Sequence, residues 1–127
     1  YRPTLYVYYH NVTSRTATHP LSLHDALPIY ALFGGGASVA ISATKSATGH
    51  LLGAAGGIEA IFTVLALRDQ IAPATLNLDN PDPAAEGLNL IRGEARSLPI
   101  EYAISNGFGF GGVNASVLFK RWSQVAN

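Results

Sequence analysis

The chain has 127 residues, no formal net charge, 48% apolar side chains and only 13% charged ones. That length suits one globular domain or part of one, and without a basic patch it excludes a surface built for nucleic acid or an anionic membrane. Cysteine is absent, so a disulfide framework, a thiolate metal site and a cysteine nucleophile are all excluded from this chain.

Residues 1–30 differ from the rest: they hold five of the six tyrosines, three of the four histidines and no glycine. Tyr6 to Tyr9 has strand propensity, whereas Thr13 to Leu27 carries neither an alternation nor a helical stripe. The word Ser22-Leu23-His24-Asp25-Ala26-Leu27-Pro28-Ile29 reads like a translated sequencing adapter. The expectation is therefore a foreign, poorly structured segment over 1–30 and the domain proper over 31–127. His10, His19 and His24 match no compact metal-ligand spacing. The start lacks the order of a signal peptide, and the apolar stretches on either side of Glu59 fall short of the ~20 residues of a membrane span. A cytoplasmic location is expected.

Next in the chain, Val39 to Thr44 mixes β-branched and small residues in near alternation, a short buried strand. It ends at the run Lys45-Ser46-Ala47-Thr48-Gly49-His50-Leu51-Leu52-Gly53-Ala54-Ala55-Gly56-Gly57, which sets a cation and an imidazole five residues apart before an apolar segment. One reading makes Lys45 a solvated loop residue and His50 a partner for a helix terminus. The other makes them a charge-handling site, in which a screened imidazole donates a hydrogen bond to a carbonyl.

From His50 to Leu67 the pattern predicts a helix apolar on nearly every face, hence buried on all sides. Gly53, Gly56 and Gly57 would each cost up to ~1 kcal/mol in its interior, which close approach of another backbone would offset. Pro73, Pro81, Pro83 and Pro99 then punctuate ordered loop with short extended pieces such as Thr75 to Leu78. Tyr102 to Ser105 and Ala115 to Phe119 read as the strands of a hairpin around Asn106 to Asn114. That loop's glycines leave backbone N–H groups free to hold an oxyanion, and Phe108 and Phe110 add apolar bulk. Its glycines lead into a strand instead of a helix, which excludes a dinucleotide site.

Three words in this order, Lys45 to Gly57, Leu78-Asp79-Asn80-Pro81-Asp82-Pro83 and Asn106 to Asn114, resemble the β-ketoacyl-acyl carrier protein synthases, in their elongating branch. The likeness covers about Ala31 to Trp122. It implies an α/β, thiolase-like fold of which this chain holds the C-terminal half, a mixed sheet with a long buried glycine-rich helix. It also implies fatty acid elongation by decarboxylative Claisen condensation of malonyl-acyl carrier protein with an acyl-enzyme thioester. The family uses one cysteine, two histidines and neither cofactor nor metal.

Carried over by position, His50 would hydrogen-bond the malonyl thioester carbonyl and stabilise the enolate, with Lys45 tuning it electrostatically. The Phe110 N–H would be an oxyanion-hole donor, the Phe110 ring with Gly109 the acyl gate, and Phe108 a wall of the same pocket. The implied partners are acyl carrier protein carrying malonyl and acyl groups and, for the parent enzyme, a second copy of itself. Two departures stand out: the cysteine is missing, and no His-Gly-Thr-Ser-Thr-type word supplies the first histidine. The chain alone is thus expected to be inactive. Alternatives are a short partner-binding or dimer-forming module, or part of a polyketide ketosynthase or chain-length partner.

Overall fold

Strand propensity is concentrated where β-branched residues alternate with small ones, and those segments assemble one sheet in the computed structural model, which describes residues 4–8, 29, 31–34, 36–108 and 113–122. In chain order the elements are β1 (Thr4–Tyr8), β2 (Gly36–Ser42), α1 (Lys45–Thr48), α2 (Ala55–Asp69), β3 (Ile71–Ala72), β4 (Leu88–Leu90), β5 (Arg96–Ser97), β6 (Ile100–Phe108) and β7 (Asn114–Lys120), with single 3-10 turns at Leu52–Ala54 and Pro83–Ala85. The sheet has the strand order β4-β2-β1-β6-β7, and β3 pairs separately with β5. β4, β2, β1 and β6 are mutually parallel, and only β7 runs antiparallel, against β6. This is the mixed sheet and the hairpin that the sequence suggests.

β1 corrects one expectation. Thr4–Tyr8 is no loose arm but the central strand, with Leu5 level with Val39 on one side and Tyr102 on the other. A five-residue run with two β-branched and two aromatic side chains suits a strand paired on both edges. Unusual composition speaks to where a segment comes from, not to what its backbone can pair with. Ile29, also inside the doubted segment, is buried with Val39 and Ile41. The expectation for 9–28 lies outside the described residues.

Because four strands run parallel, their carboxyl ends, Tyr8, Ser42, Leu90 and Phe108, share one edge of the sheet. β7 starts from that edge, since Asn114 pairs with Phe108. α2 packs across the sheet on β6. The core between them is built from small and branched residues, Ala40, Ala66, Leu67, Ala72, Ile91, Ile100 and Ala103. At the end of α2, Gln70 takes a left-handed conformation, and its side-chain amide bonds Ile100 like a strand neighbour, donating to the Ile100 carbonyl and accepting the Ile100 N–H, each at 2.9 Å.

α2 departs from the predicted helix in two ways. It begins at Ala55, because Leu52 sits at φ 51° and the 3-10 turn intervenes. It also buries only one stripe, Ala55, Glu59, Thr63, Ala66 and Leu67, while Ile61 and Val64 stay 58% and 47% exposed. The physical reason is that one sheet layer covers one helix face, whatever the composition of the others. The polar side chains on the covered stripe have their own partners: the Thr63 hydroxyl donates to the Glu59 carbonyl at 2.8 Å, and Glu59 meets Lys45. Beyond the chain neighbours and the helix's own backbone, no described atom lies within 4 Å of a Cβ built on Gly53, Gly56 or Gly57, so the expected close backbone approach is not supplied by the described residues. Ile61→Ser is accordingly expected to change the stability of this chain by no more than about 0.5 kcal/mol in chemical denaturation; a loss of several times that would mean the face is covered.

Candidate active site

β2 delivers the chain to the shared edge, and a tight turn there turns strand into helix. Ser42, Ala43 and Thr44 are buried, and α1 lasts a single turn before Gly49, at φ 71°, ends it. A positive φ there costs glycine little. The reversal returns His50 onto the start of its own turn, with Nδ1 at 3.5 Å from Lys45 Nζ. Lys45 Nζ in turn lies 3.7 Å from Glu59 Oε1, the two side chains being 12% and 4% exposed. Burial pushes the Lys45 ammonium below its ordinary value, with Glu59 pulling it back, and burial raises the Glu59 carboxyl, opposed by Lys45 and then by His50.

One hydrogen bond decides the chemistry of the imidazole. The Leu52 N–H donates to His50 Nδ1 at 3.1 Å, and a ring nitrogen that accepts a backbone N–H carries no proton of its own. The proton of the neutral ring is therefore on Nε2. His50 is exposed. The backbone of Leu51, at φ −89° and ψ 22°, sets the Leu52 N–H against the ring.

The structure thus brings together the two catalytic candidates, Lys45 and His50, and adds Glu59, which sequence reasoning read only as an interruption of an apolar run. The available signal was a lone carboxylate in such a run: a buried charge needs a counter-charge, and Lys45 is the nearest lysine or arginine on its N-terminal side. Phe108 ends β6 half-buried against the cluster of Ile29, Val39 and Ile41. Gly109 and Phe110 lie outside the described residues, but both ends of their loop, Phe108 and Asn114, are held at the edge that carries Lys45. His10 follows the end of β1 by two residues in the sequence and is likewise outside the described set. Among the described residues there is no cluster suited to a metal ion, and no helix is long and apolar enough to cross a membrane.

A parallel α/β layer with a lysine, histidine and glutamate gathered at the carboxyl ends of its strands is the C-terminal half of a thiolase-like fold. A β-ketoacyl synthase from Burkholderia phymatum STM815 shares it at TM-score 0.79 and 39% identity, over 93% of this chain and 28% of that one. The chain belongs to the β-ketoacyl synthase family, whose C-terminal domain matches residues 16–79. The 3-oxoacyl-[acyl-carrier-protein] synthase 2 of Vibrio harveyi is 55% identical over 90 residues, 71% of this chain. A ketosynthase structure described as a type II PKS acyl-carrier protein in complex with its ketosynthase, bound to the hexaketide, matches at TM-score 0.64 and 31% identity, over 68% of this chain and 21% of that one. The chain spans about a fifth of the length of such a curated relative, 21% for the Vibrio harveyi protein.

Proposed function

We propose that this domain supplies the malonyl-handling side of a 3-oxoacyl-acyl carrier protein synthase. The observation that carries the reading is the Leu52 N–H bonded to His50 Nδ1, which leaves Nε2–H as a fixed donor. That donor would bond the malonyl thioester carbonyl. As the carboxylate departs as carbon dioxide, the electron pair of the breaking bond moves onto this oxygen, and a donor already in place gains strength as the charge appears. The enolate carbon then attacks the acyl thioester, forming the new carbon–carbon bond and releasing the thiolate of a cysteine that this chain does not contain. Lys45, held by Glu59, keeps positive charge on the Nδ1 side of the ring.

The roles of Gly109 and Phe110 as acyl gate and oxyanion donor belong to the same reading, as does Phe108 as a pocket wall. We further take His10 as the candidate for the family's first histidine. Support comes from topology: β1 lies between β2 and β6 and points to the same edge, and the chain reaches His10 two residues later. The word His10-Asn11-Val12-Thr13-Ser14 keeps the histidine and two of the three hydroxyl residues, with Asn11 in place of the glycine and Val12 in place of the first threonine.

Acyl carrier protein is the proposed donor of both substrates, a homodimer the proposed assembly and the cytoplasm the proposed location. The relation to a 3-oxoacyl-[acyl-carrier-protein] synthase 2 at 55% identity, against 31% for the type II PKS ketosynthase, favours fatty acid elongation. The test is the full-length synthase reassembled around this domain and supplied with acyl- and malonyl-acyl carrier protein. Chain-extended 3-oxoacyl product is expected, while the 127-residue chain alone should take up no acyl group. A folded, acylated enzyme that leaves malonyl-acyl carrier protein intact would overturn the reading.

The foreign origin expected for 1–30 rests on the adapter-like word Ser22 to Ile29 and does not extend to β1 or to His10. Resequencing the locus is expected to replace the adapter-like word with other codons. An uninterrupted natural reading through it would remove this proposal.

A further inference from the structure

The β2–β4 ladder stops one step earlier than its register would carry it. The Ile91 N–H donates to the Ile41 carbonyl at 2.9 Å, and in a parallel pair the next bond would run from the Ala43 N–H to the Ile91 carbonyl. Thr75 stands in that place. Its N–H donates to the Ile91 carbonyl at 2.8 Å, and its Oγ1 accepts the Ala43 N–H at 2.9 Å. A second hydroxyl works in the opposite direction: Ser46 Oγ donates to the Ala43 carbonyl at 2.7 Å and accepts the Leu76 N–H at 2.8 Å. Ala43 to Ser46 is the turn that carries Lys45.

Thr75 has no exposed surface, and one residue takes both bonding roles that would otherwise join the strands. Without its hydroxyl, the buried Ala43 N–H loses its acceptor while the Ile91 carbonyl keeps the Thr75 N–H, and the end of the strand at Ala43 is no longer held. Lys45 lies two residues further and would move with it. The geometry of His50 depends on that placement, because its ring contacts Lys45 from the end of the same turn.

We propose that Thr75 is a positioning residue for the Lys45–His50 pair, its hydroxyl ending the strand where the site must begin. The inference rests on the condensing role assigned to His50. Thr75→Val keeps the shape and removes the hydroxyl; Thr75→Ser keeps the hydroxyl. In the reassembled full-length synthase, Thr75→Val is expected to lower kcat for condensation at least ~10-fold while leaving KM for malonyl-acyl carrier protein and acyl loading within about 2-fold, as misplacement of a catalytic group does. Thr75→Ser should restore most of the rate, and hydrogen exchange at the Ala43 amide should quicken in Thr75→Val alone. An unchanged kcat in Thr75→Val, an equal loss of loading and condensation, or a Thr75→Ser as slow as Thr75→Val would each overturn the proposal. Should Thr75→Val not fold, Ser46→Ala is read the same way: condensation lost with loading kept upholds the two-hydroxyl clasp, and an unchanged rate overturns it. A His50→Ala enzyme that still condenses would instead sink the role of His50, leaving Ala43 exchange to judge the clasp.

Discussion

His50→Ala in the full-length synthase is expected to slow condensation by about 10²–10³-fold, the usual cost of deleting one preplaced donor to a developing oxyanion. Loading of the cysteine should stay near the parent rate, since in the proposed role the donor acts on the malonyl carbonyl and not on the incoming acyl group. Single-turnover assays separate the two steps. His50→Gln is the informative companion, because an amide N–H can replace the Nε2–H only if the side chain still reaches the same point. Equal losses in loading and condensation would show that His50 supports the fold of the site and not the enolate.

The second large effect concerns the charged pair beneath the ring. Lys45→Met is expected to destabilise the chain by about 3 kcal/mol at neutral pH, because it leaves the buried Glu59 carboxylate without its cation. Burial raises the Glu59 carboxyl above its ordinary value of 4.5, so the folded chain holds that proton more tightly than the unfolded one. Its contribution to stability is therefore fully present below 4.5 and is lost as pH climbs through the raised value. For Lys45, lowered from 10.5, the contribution is present above 10.5 and lost as pH falls through the lowered value. Between these limits both groups are charged and their desolvation opposes folding, while their attraction offsets part of that cost. The deficit of Lys45→Met should accordingly shrink as pH drops and Glu59 takes up a proton, and Lys45→Met with Glu59→Leu should regain most of it. Denaturant titrations at several pH values check both statements, and a deficit independent of pH would place the loss in packing.

How far the sequence could be read differed by element. The 102–105 and 115–119 strands and the wide loop between them were legible because their alternation is regular and the glycines are concentrated in one place. Lys45 and His50 stood out through their spacing, and three ordered words brought the family with them. The tautomer of His50 was hidden, since it depends on a backbone N–H placed by the turn at Leu51, which no pattern of residue types announces. Glu59 was hidden for a related reason: its partner comes from another element. The helix was misjudged because composition reports how apolar a segment is, not how much surface its neighbours can cover. β1 was undervalued because its pairing partners lie far away in the chain.

That last separation has a kinetic side. Tyr6 must sit between Ala40 and Ala103, so the middle of the sheet closes only when residues nearly a hundred positions apart meet. Sheets dominated by such distant pairings fold slowly, since the entropy of closing the loop is lost before any ladder bond repays it. During synthesis β1 would leave the ribosome before β2 and β6 and wait with both edges bare, and bare edges of this kind invite pairing with other chains. A sheet organised around a strand made before its neighbours is thus most at risk of aggregation just before those neighbours arrive.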